Sequence, residues 1–251
     1  MKTYRDEGLV LGTTKLGEAD RIITLLTRQH GKIRAVAKGV RRTTSKFGAR
    51  LEPFMYVDLQ CFMGKSLDTI VQVETIGAYG QPISQDYDLY LAASAIIETS
   101  NRLVQSEREP QLQQFLLATG AIRTLATTRY QPQNVLDSYL LRALAVGGWA
   151  LSLTICAKCA RPGEYRSFSI SQGGAVCSVC VRPGATLLHP ETIAHLSALL
   201  VGQWSQIEVV SVEVRSESSR LIRAYAQYYL ERNLKSLRMM NSKPQDSNRN
   251  D

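Results

Sequence analysis

Arg21-Ile22-Ile23-Thr24-Leu25-Leu26-Thr27-Arg28-Gln29-His30-Gly31-Lys32-Ile33-Arg34-Ala35-Val36-Ala37-Lys38 decides the fold class of the N-terminal third. Two apolar runs flank the turn Arg28-Gln29-His30-Gly31, and neither has a helical period. The second alternates strictly, with Ile33, Ala35 and Ala37 on one side and Lys32, Arg34, Val36 and Lys38 on the other. That pattern predicts a β-hairpin with one face in a core. Working outward, an apolar run at Gly8–Thr14 precedes it. Tyr56–Phe62 and Leu67–Ile76 follow, joined by the short Gly-containing loop Met63-Gly64-Lys65-Ser66. Five short strands with no helix between them predict a small closed barrel, and a five-stranded OB-type barrel fits both strand count and length. Cys61 alternates with Val57 and Leu59 and reads as a buried thiol, with no histidine nearby in sequence to activate it.

The same stretch opens the main charge feature. From Arg28 to Arg50 there are eight cations and no acid: Arg28, Lys32, Arg34, Lys38, Arg41, Arg42, Lys46 and Arg50. The whole chain carries a net charge of +8, with a pI near 9.3, which points to a polyanionic partner, nucleic acid before membrane surface. On an extended strand Lys32 and Arg34 lie about 7 Å apart, with Lys38 roughly 13 Å further on, spacings a phosphate backbone can meet. Gly39-Val40-Arg41-Arg42-Thr43-Thr44-Ser45-Lys46 continues as a polar basic loop. A solvated edge strand would also carry lysines. The lack of any balancing acid favours phosphate contact instead, through Lys32, Arg34, Lys38, Arg41, Arg42, Lys46 and Arg50. Phe47, Phe54 and Tyr56 are nearby rings that could stack on bases, but each reads more readily as core: Phe54 follows Pro53 at a strand start and Tyr56 alternates out of register with Val57.

From about residue 85 the period becomes helical. Asp86 or Asp88 can cap a helix through Val104, Pro110 suits the first turn of a second, and a third is expected from Pro132 to Val146, stopped by Gly147-Gly148. Pro190 opens another helix, and a last one is expected over Ser218–Met239, before a polar tail, 241–251, expected to be disordered. Between the third and fourth helices stand Cys156, Cys159, Cys177 and Cys180, spaced C-x2-C-x17-C-x2-C, each pair continuing as C-x-x-C-x-R-P-G. Two such turns offer four thiolates to one tetrahedral Zn2+, with no open position for water or substrate, so the metal is expected to be structural. The fold class expected is therefore α+β: an OB-type barrel domain over 1–80, then a helical domain over 81–240 with zinc knuckles at 156–184.

No catalytic constellation is legible. Gly12-x4-Gly17 lacks the Lys-Ser/Thr of a phosphate-binding loop. His30, His189 and His195 pair with no acid or nucleophile in the sequence, and Glu18 with Asp20 reads as a turn or salt bridge, so the chain is not expected to be an enzyme. The N-terminus lacks the apolar core of a signal peptide. The longest uncharged apolar stretch, Ala143–Ala157, has 15 residues against the ~20 that a membrane-crossing helix needs. With cysteines spaced for metal, a cytoplasmic location is expected.

Several stretches resemble the bacterial RecO family of DNA repair and recombination mediators. They are Gly17-Glu18-Ala19-Asp20 through Thr27, His30-Gly31-Lys32-Ile33-Arg34-Ala35-Val36-Ala37-Lys38-Gly39, Leu51-Glu52-Pro53-Phe54, Ser66-Leu67-Asp68-Thr69, Leu140-Leu141-Arg142-Ala143-Leu144 and Tyr229–Arg238. The resemblance implies an OB fold, a helical domain and a four-cysteine zinc insertion, without covalent catalysis. It implies binding of single- and double-stranded DNA and annealing of complementary strands. It further implies joining RecR, contacting the acidic tail of the single-stranded-DNA-binding protein, and indirectly loading RecA, at the nucleoid. Arg34, Lys38, Arg41 and Arg42 fall where the family's OB domain meets DNA, and Ala160 stands where a glycine often follows the first knuckle. An RNA-binding zinc protein of translation or ribosome assembly would share the barrel, charge and cysteines, and remains the alternative.

Overall fold

The computed structural model describes residues 2–230. Five strands form a closed barrel: β1 Thr3–Leu16, β2 Asp20–Thr27, β3 Gly31–Ala37, β4 Tyr56–Phe62 and β5 Asp68–Gly77, in the order β1-β2-β3-β5-β4, with β4 returning to β1. This is the expected OB-type barrel. β1 starts at Thr3 rather than Gly8, because one long strand serves two neighbours. Its first half pairs with β4 (Thr3 opposite Phe62) and its second with β2 (Leu16 opposite Asp20), with a bulge between Val10 and Gly12. Polar Thr3–Glu7 is held by cross-strand partners, including the Arg5 guanidinium on the Asp58 carboxylate at 2.6 Å. Ile33, Ala35 and Ala37 point inward as the alternation requires, against Val10, Leu25 and Val57, and a turn of 3-10 helix at Gly48–Leu51 inserts Leu51 beneath them.

The helices are α1 Gly80–Ser84, α2 Tyr87–Leu103, α3 Leu112–Thr127, α4 Pro132–Val146, α5 Thr192–Val201, α6 Trp204–Ile207 and α7 Val212–Tyr229. Asp86 caps α2 by accepting from the Asp88 and Leu89 amides. Pro132 is the first residue of α4, whereas Pro110 and Pro190 each lie ahead of a helix that starts two residues later, outside its first turn. α7 begins six residues before the expected Ser218, because Ser211 caps it and its first turns alternate Glu213, Arg215 and Glu217 with Val212, Val214 and Ser216, which hides the helical period. The expected continuation of this helix beyond Leu230 and the expected tail over 241–251 lie outside the described residues. α4 is buried along most of its length, among α2, α3, α5 and α7. Leu9, Leu11, Leu26 and Phe54 on the outside of the barrel join Ile96, Phe115 and Leu136 in one core, so barrel and helices share their apolar interior. Three short strands, β6 Ser167–Ser169, β7 Gly174–Val176 and β8 Thr186–Leu187, form a small sheet beside the cysteines, in the order β7-β6-β8.

β3 and β5 pair only at Ala35–Asp68 and Val36–Thr69. Further along, the segment after α2 closes the seam. The Arg108 amide donates to the Lys32 carbonyl at 2.9 Å, and the backbones of Lys32 and Glu107 pair in an isolated parallel β-bridge. The Arg108 guanidinium reaches the buried Asp68 carboxylate at 2.6 Å, whose other oxygen accepts from Tyr4 Oη at 2.6 Å. Gly31 is required here: its φ is +65°, and a Cβ would lie 1.8 Å from the Glu109 carbonyl oxygen. Among the described residues no helix is long and apolar enough to cross a membrane.

Candidate nucleic-acid interface and metal centre

Beyond β3 the chain turns at Gly39, whose φ is +67°, and two loops of the barrel lock together. The Asp20 carboxylate accepts from the Gly39 amide at 2.7 Å. The Arg41 amide donates to Ala19 O, and its guanidinium donates to Glu18 O at 2.8 Å and Gly17 O at 3.3 Å. Asp20 is thus a turn anchor, and Arg41 is held by neutral carbonyls that leave its charge uncompensated. Lys46 Nζ donates to Val71 O at 2.9 Å and lies 5.1 Å over the Phe47 ring, while Arg50 reaches back to Lys46 O at 2.8 Å. Together they wall an open groove of roughly 690 Å3 along β5. Lys38, Arg41, Arg42, Lys46 and Arg50 are all exposed.

Lys32 and Arg34 sit differently from the outward row that alternation alone predicts. Lys32 is half-buried, its ammonium donates to Asn101 O at 3.1 Å at the end of α2, and burial lowers its pKa. Arg34 is exposed but lies 3.9 Å from Glu107. The stretch from Arg28 to Arg50 contains no acid, yet the fold brings acids to its cations from elsewhere in the chain: Glu107 to Arg34 and, at 3.5 Å, Glu7 to Arg28. Of the three rings near the basic loop, Phe47 and Phe54 are buried, and half-buried Tyr56 donates its hydroxyl to Glu7. Phe54 also adopts a left-handed backbone with φ of 72°.

One histidine does have an acidic partner, contrary to the sequence reading. His30 Nδ1 is 2.7 Å from Asp6 Oδ2, and the same buried carboxylate accepts from the Gln29 and His30 amides. Asp6 lies 24 residues away, so spacing gives no signal of it. Its contacts are those of a turn anchor. Burial pushes the Cys61 thiol up to about 12, as suits an inert core thiol.

The ligand atoms of Cys156, Cys159, Cys177 and Cys180 lie within 4.8 Å of one another, with Cys159 and Cys177 sulfurs 3.9 Å apart. A tetrahedron with metal–sulfur bonds of about 2.3 Å has edges of about 3.8 Å, so the donor set fits one ion. Each pair forms a tight turn: Ala160 N donates to Cys156 O at 2.8 Å, and Val181 N to Cys177 O at 3.0 Å. The Cys177 amide also points at the Cys156 sulfur, and such donation pulls that thiol down to about 6, readying it as a thiolate ligand. Hydrogen bonding with Cys177 pushes Cys180 up to about 12, the behaviour of crowded thiols sharing protons. Around the sulfurs the apolar packing amounts to Val176 with partly buried Ala157, Tyr165 and Ala185, too little to order the loop alone. Ala160 holds a left-handed backbone, φ 57°, which a glycine would adopt without strain.

Two family models cover the chain. Recombination protein O N terminal matches residues 1–79, and Recombination protein O C terminal matches 84–238. Among curated proteins the chain is 52% identical over 237 residues to the DNA repair protein RecO of a Nocardioides species, covering 93% of this chain and 97% of that protein. It is 50% identical over 240 residues to the DNA repair protein RecO of Thermobifida fusca, covering 96% and 99%. The RecO of Streptomyces coelicolor is likewise 50% identical, over 244 residues. A closed five-stranded barrel, a helical body and a four-cysteine cluster, matched over residues 1–79 and 84–238 by the two models, place this chain in the RecO family of recombination proteins.

Proposed function

We propose that the chain is a DNA-binding recombination mediator in DNA repair, acting by binding rather than by covalent catalysis. The observation that carries this reading is the exposed cationic surface of Lys38, Arg41, Arg42, Lys46 and Arg50 on an OB-type barrel in a chain of this family. Two phosphate backbones repel, so a protein that speeds their pairing must neutralise charge and leave base edges free. Side chains that contact backbone alone do both. Division into a DNA-binding domain over 1–80 and a helical domain over 81–240 is part of the proposal, supported by the family models meeting between 79 and 84.

The metal is Zn2+ in this reading, supported by an all-sulfur donor set at tetrahedral spacing. It supplies a cross-link that holds the loop, and the cysteines keep no position open for a reactant. RecR, the acidic tail of the single-stranded-DNA-binding protein and, indirectly, RecA are the partners. An acidic tail would find Arg142 beside Leu116, Leu117 and Trp204 in a groove of roughly 400 Å3 between α3 and α4. The location is the cytoplasm, at the nucleoid.

The test is annealing of complementary oligonucleotides, read by fluorescence transfer, with RNA of the same sequence as competitor. Changing Arg34, Lys38, Arg41 and Arg42 together to Ala should lower DNA binding and annealing in parallel. Arg161 and Arg182 on the zinc loop serve as the control pair. Arg166 is left intact because it anchors the Leu188 carbonyl. Normal annealing by the folded barrel variant and loss of it in the control would move the active surface to the helical body and sink this assignment.

A further inference from the structure

Two clefts outside the cationic surface share a wall. One, of roughly 600 Å3, begins at Lys32 of the barrel and is lined by Arg102, Leu103, Trp149 and Tyr229. The other, of roughly 350 Å3, runs from the same Trp149 and Tyr229 to Lys158 and Ala160 at the first knuckle. Among the described residues neither cleft is lined by Asp or Glu. The rings form a group: Trp149 and Tyr229 centroids are 6.1 Å apart, Tyr228 meets Tyr229 edge-on at 5.0 Å, and Tyr225 supports Tyr229 from below at 4.5 Å. Trp149 is 36% exposed and Tyr229 is half-buried, so both rings keep part of a face open to the clefts they line. Gly147-Gly148 ends α4 and sets Trp149 at the cleft, with Gly148 at a φ of +93°.

We infer that Trp149 and Tyr229 are a stacking platform for bases of a single strand of DNA, which runs from the barrel at Lys32 to Lys158 beside the metal knuckle. A single strand needs flat apolar faces for its bases and cations, not acids, along its backbone. The cationic barrel loop offers the second but no open ring, since Phe47 and Phe54 are buried. The shared wall of the two clefts supplies the rings. Stacking tolerates any base, which suits a protein that must handle strands of every sequence. The inference rests on the DNA-binding reading and adds a second contact zone, on the helical body.

The chain has two tryptophans, and Trp204 lies elsewhere, stacked 4.5 Å from Tyr130. In a Trp204→Phe protein Trp149 alone therefore reports. Oligo-dT and an abasic oligomer of equal length are titrated, with Trp149 emission read beside the anisotropy of a labelled strand. The expected result is quenching by oligo-dT and none by the abasic strand. Changing Trp149 and Tyr229 to Ala should cut the preference for oligo-dT over abasic DNA at least about fivefold per stacked base. Trp149→Phe with Tyr229→Phe should keep most of it. Binding of oligo-dT with unchanged Trp149 emission, and an unchanged preference in the alanine variant, would overturn the platform while leaving the DNA-binding reading intact. No binding of oligo-dT by the intact protein would overturn both.

Discussion

Replacing Lys38, Arg41 and Arg42 with Ala should flatten the salt dependence of single-strand binding by a calculable amount. Five cations of the basic stretch, Lys38, Arg41, Arg42, Lys46 and Arg50, are exposed with no ion pair to an acid among the described residues, whereas Arg34 faces Glu107 at 3.9 Å and Lys32 turns to a helix end. Each phosphate neutralised on a single strand contributes about −0.7 to the slope of log K against log salt, so five give about −3.5. Between 50 and 200 mM salt that amounts to roughly a 100-fold loss of affinity, and the triple variant, with two cations left, should lose only about 7-fold, a slope of about −1.4. Arg34→Ala alone should leave the slope nearly unchanged, because Glu107 already offsets that charge. Loss of Lys38 and Arg42 should change stability by about 0.5 kcal/mol each at most, and loss of the Arg41 bonds to Glu18 O and Gly17 O by about 0.5–1.5 kcal/mol each, so all variants should remain folded. Anisotropy of a labelled oligo-dT over four salt concentrations measures the slopes. If Arg34→Ala flattens the slope as much as Lys38→Ala does, the fold's division of the basic stretch into free and compensated cations is wrong.

Cys156→Ser should release the metal and lower thermal stability. Mass spectrometry of the native protein should show one zinc per chain, and a native protein free of metal when prepared without chelators refutes the centre. Ala160→Gly should stabilise the knuckle slightly, because the left-handed strain relieved, about 1–2 kcal/mol, exceeds glycine's extra chain entropy of about 0.5–1 kcal/mol; slower metal loss to a chelator would register it, and faster loss would count against the argument. Asp137 is fully buried under Ser219 and Gln133, and burial raises its pKa to about 6. The folded state thus holds a proton that the unfolded chain releases near pH 4. Stability from this group is full below pH 4 and declines as pH rises through 6, by up to about 3 kcal/mol if the whole shift is realised. Urea titrations should show that decline in the parent and a flatter profile in Asp137→Asn; equal slopes would contradict it.

The strands that alternate were legible. β3 gave itself away because Ile33, Ala35 and Ala37 fill a barrel on one side only. The first five residues of β1 were not, because Tyr4, Arg5, Asp6 and Glu7 owe their extended form to partners on β4 and in the β2–β3 turn, which spacing cannot show. The cysteine cluster was fully legible, since both halves of the site are local turns with a fixed two-residue gap. The cationic stretch was legible as charge but not as geometry. Glu107 and Asn101, which engage Arg34 and Lys32, arrive from far along the chain. The aromatic group had no signal at all: Trp149 follows α4, Tyr228 and Tyr229 end α7, and only the fold brings them together.

The seam beside β3 sets how the chain can be divided. A cut near residue 80, where the two family models nearly meet, appears natural on a linear map. It would remove Arg108 from Asp68, leaving a carboxylate that is 2% exposed with Tyr4 and a backbone amide but no cation, and it would bare the β3 edge that Glu107 and Arg108 cover. An uncovered edge of that kind recruits strands from other molecules. The excised barrel should therefore be a poor stand-in for the barrel of the whole chain. Any exchange of halves between relatives would have to carry the segment from Val104 to Glu109 together with the barrel it closes, so the unit that must move as one is larger than the barrel itself.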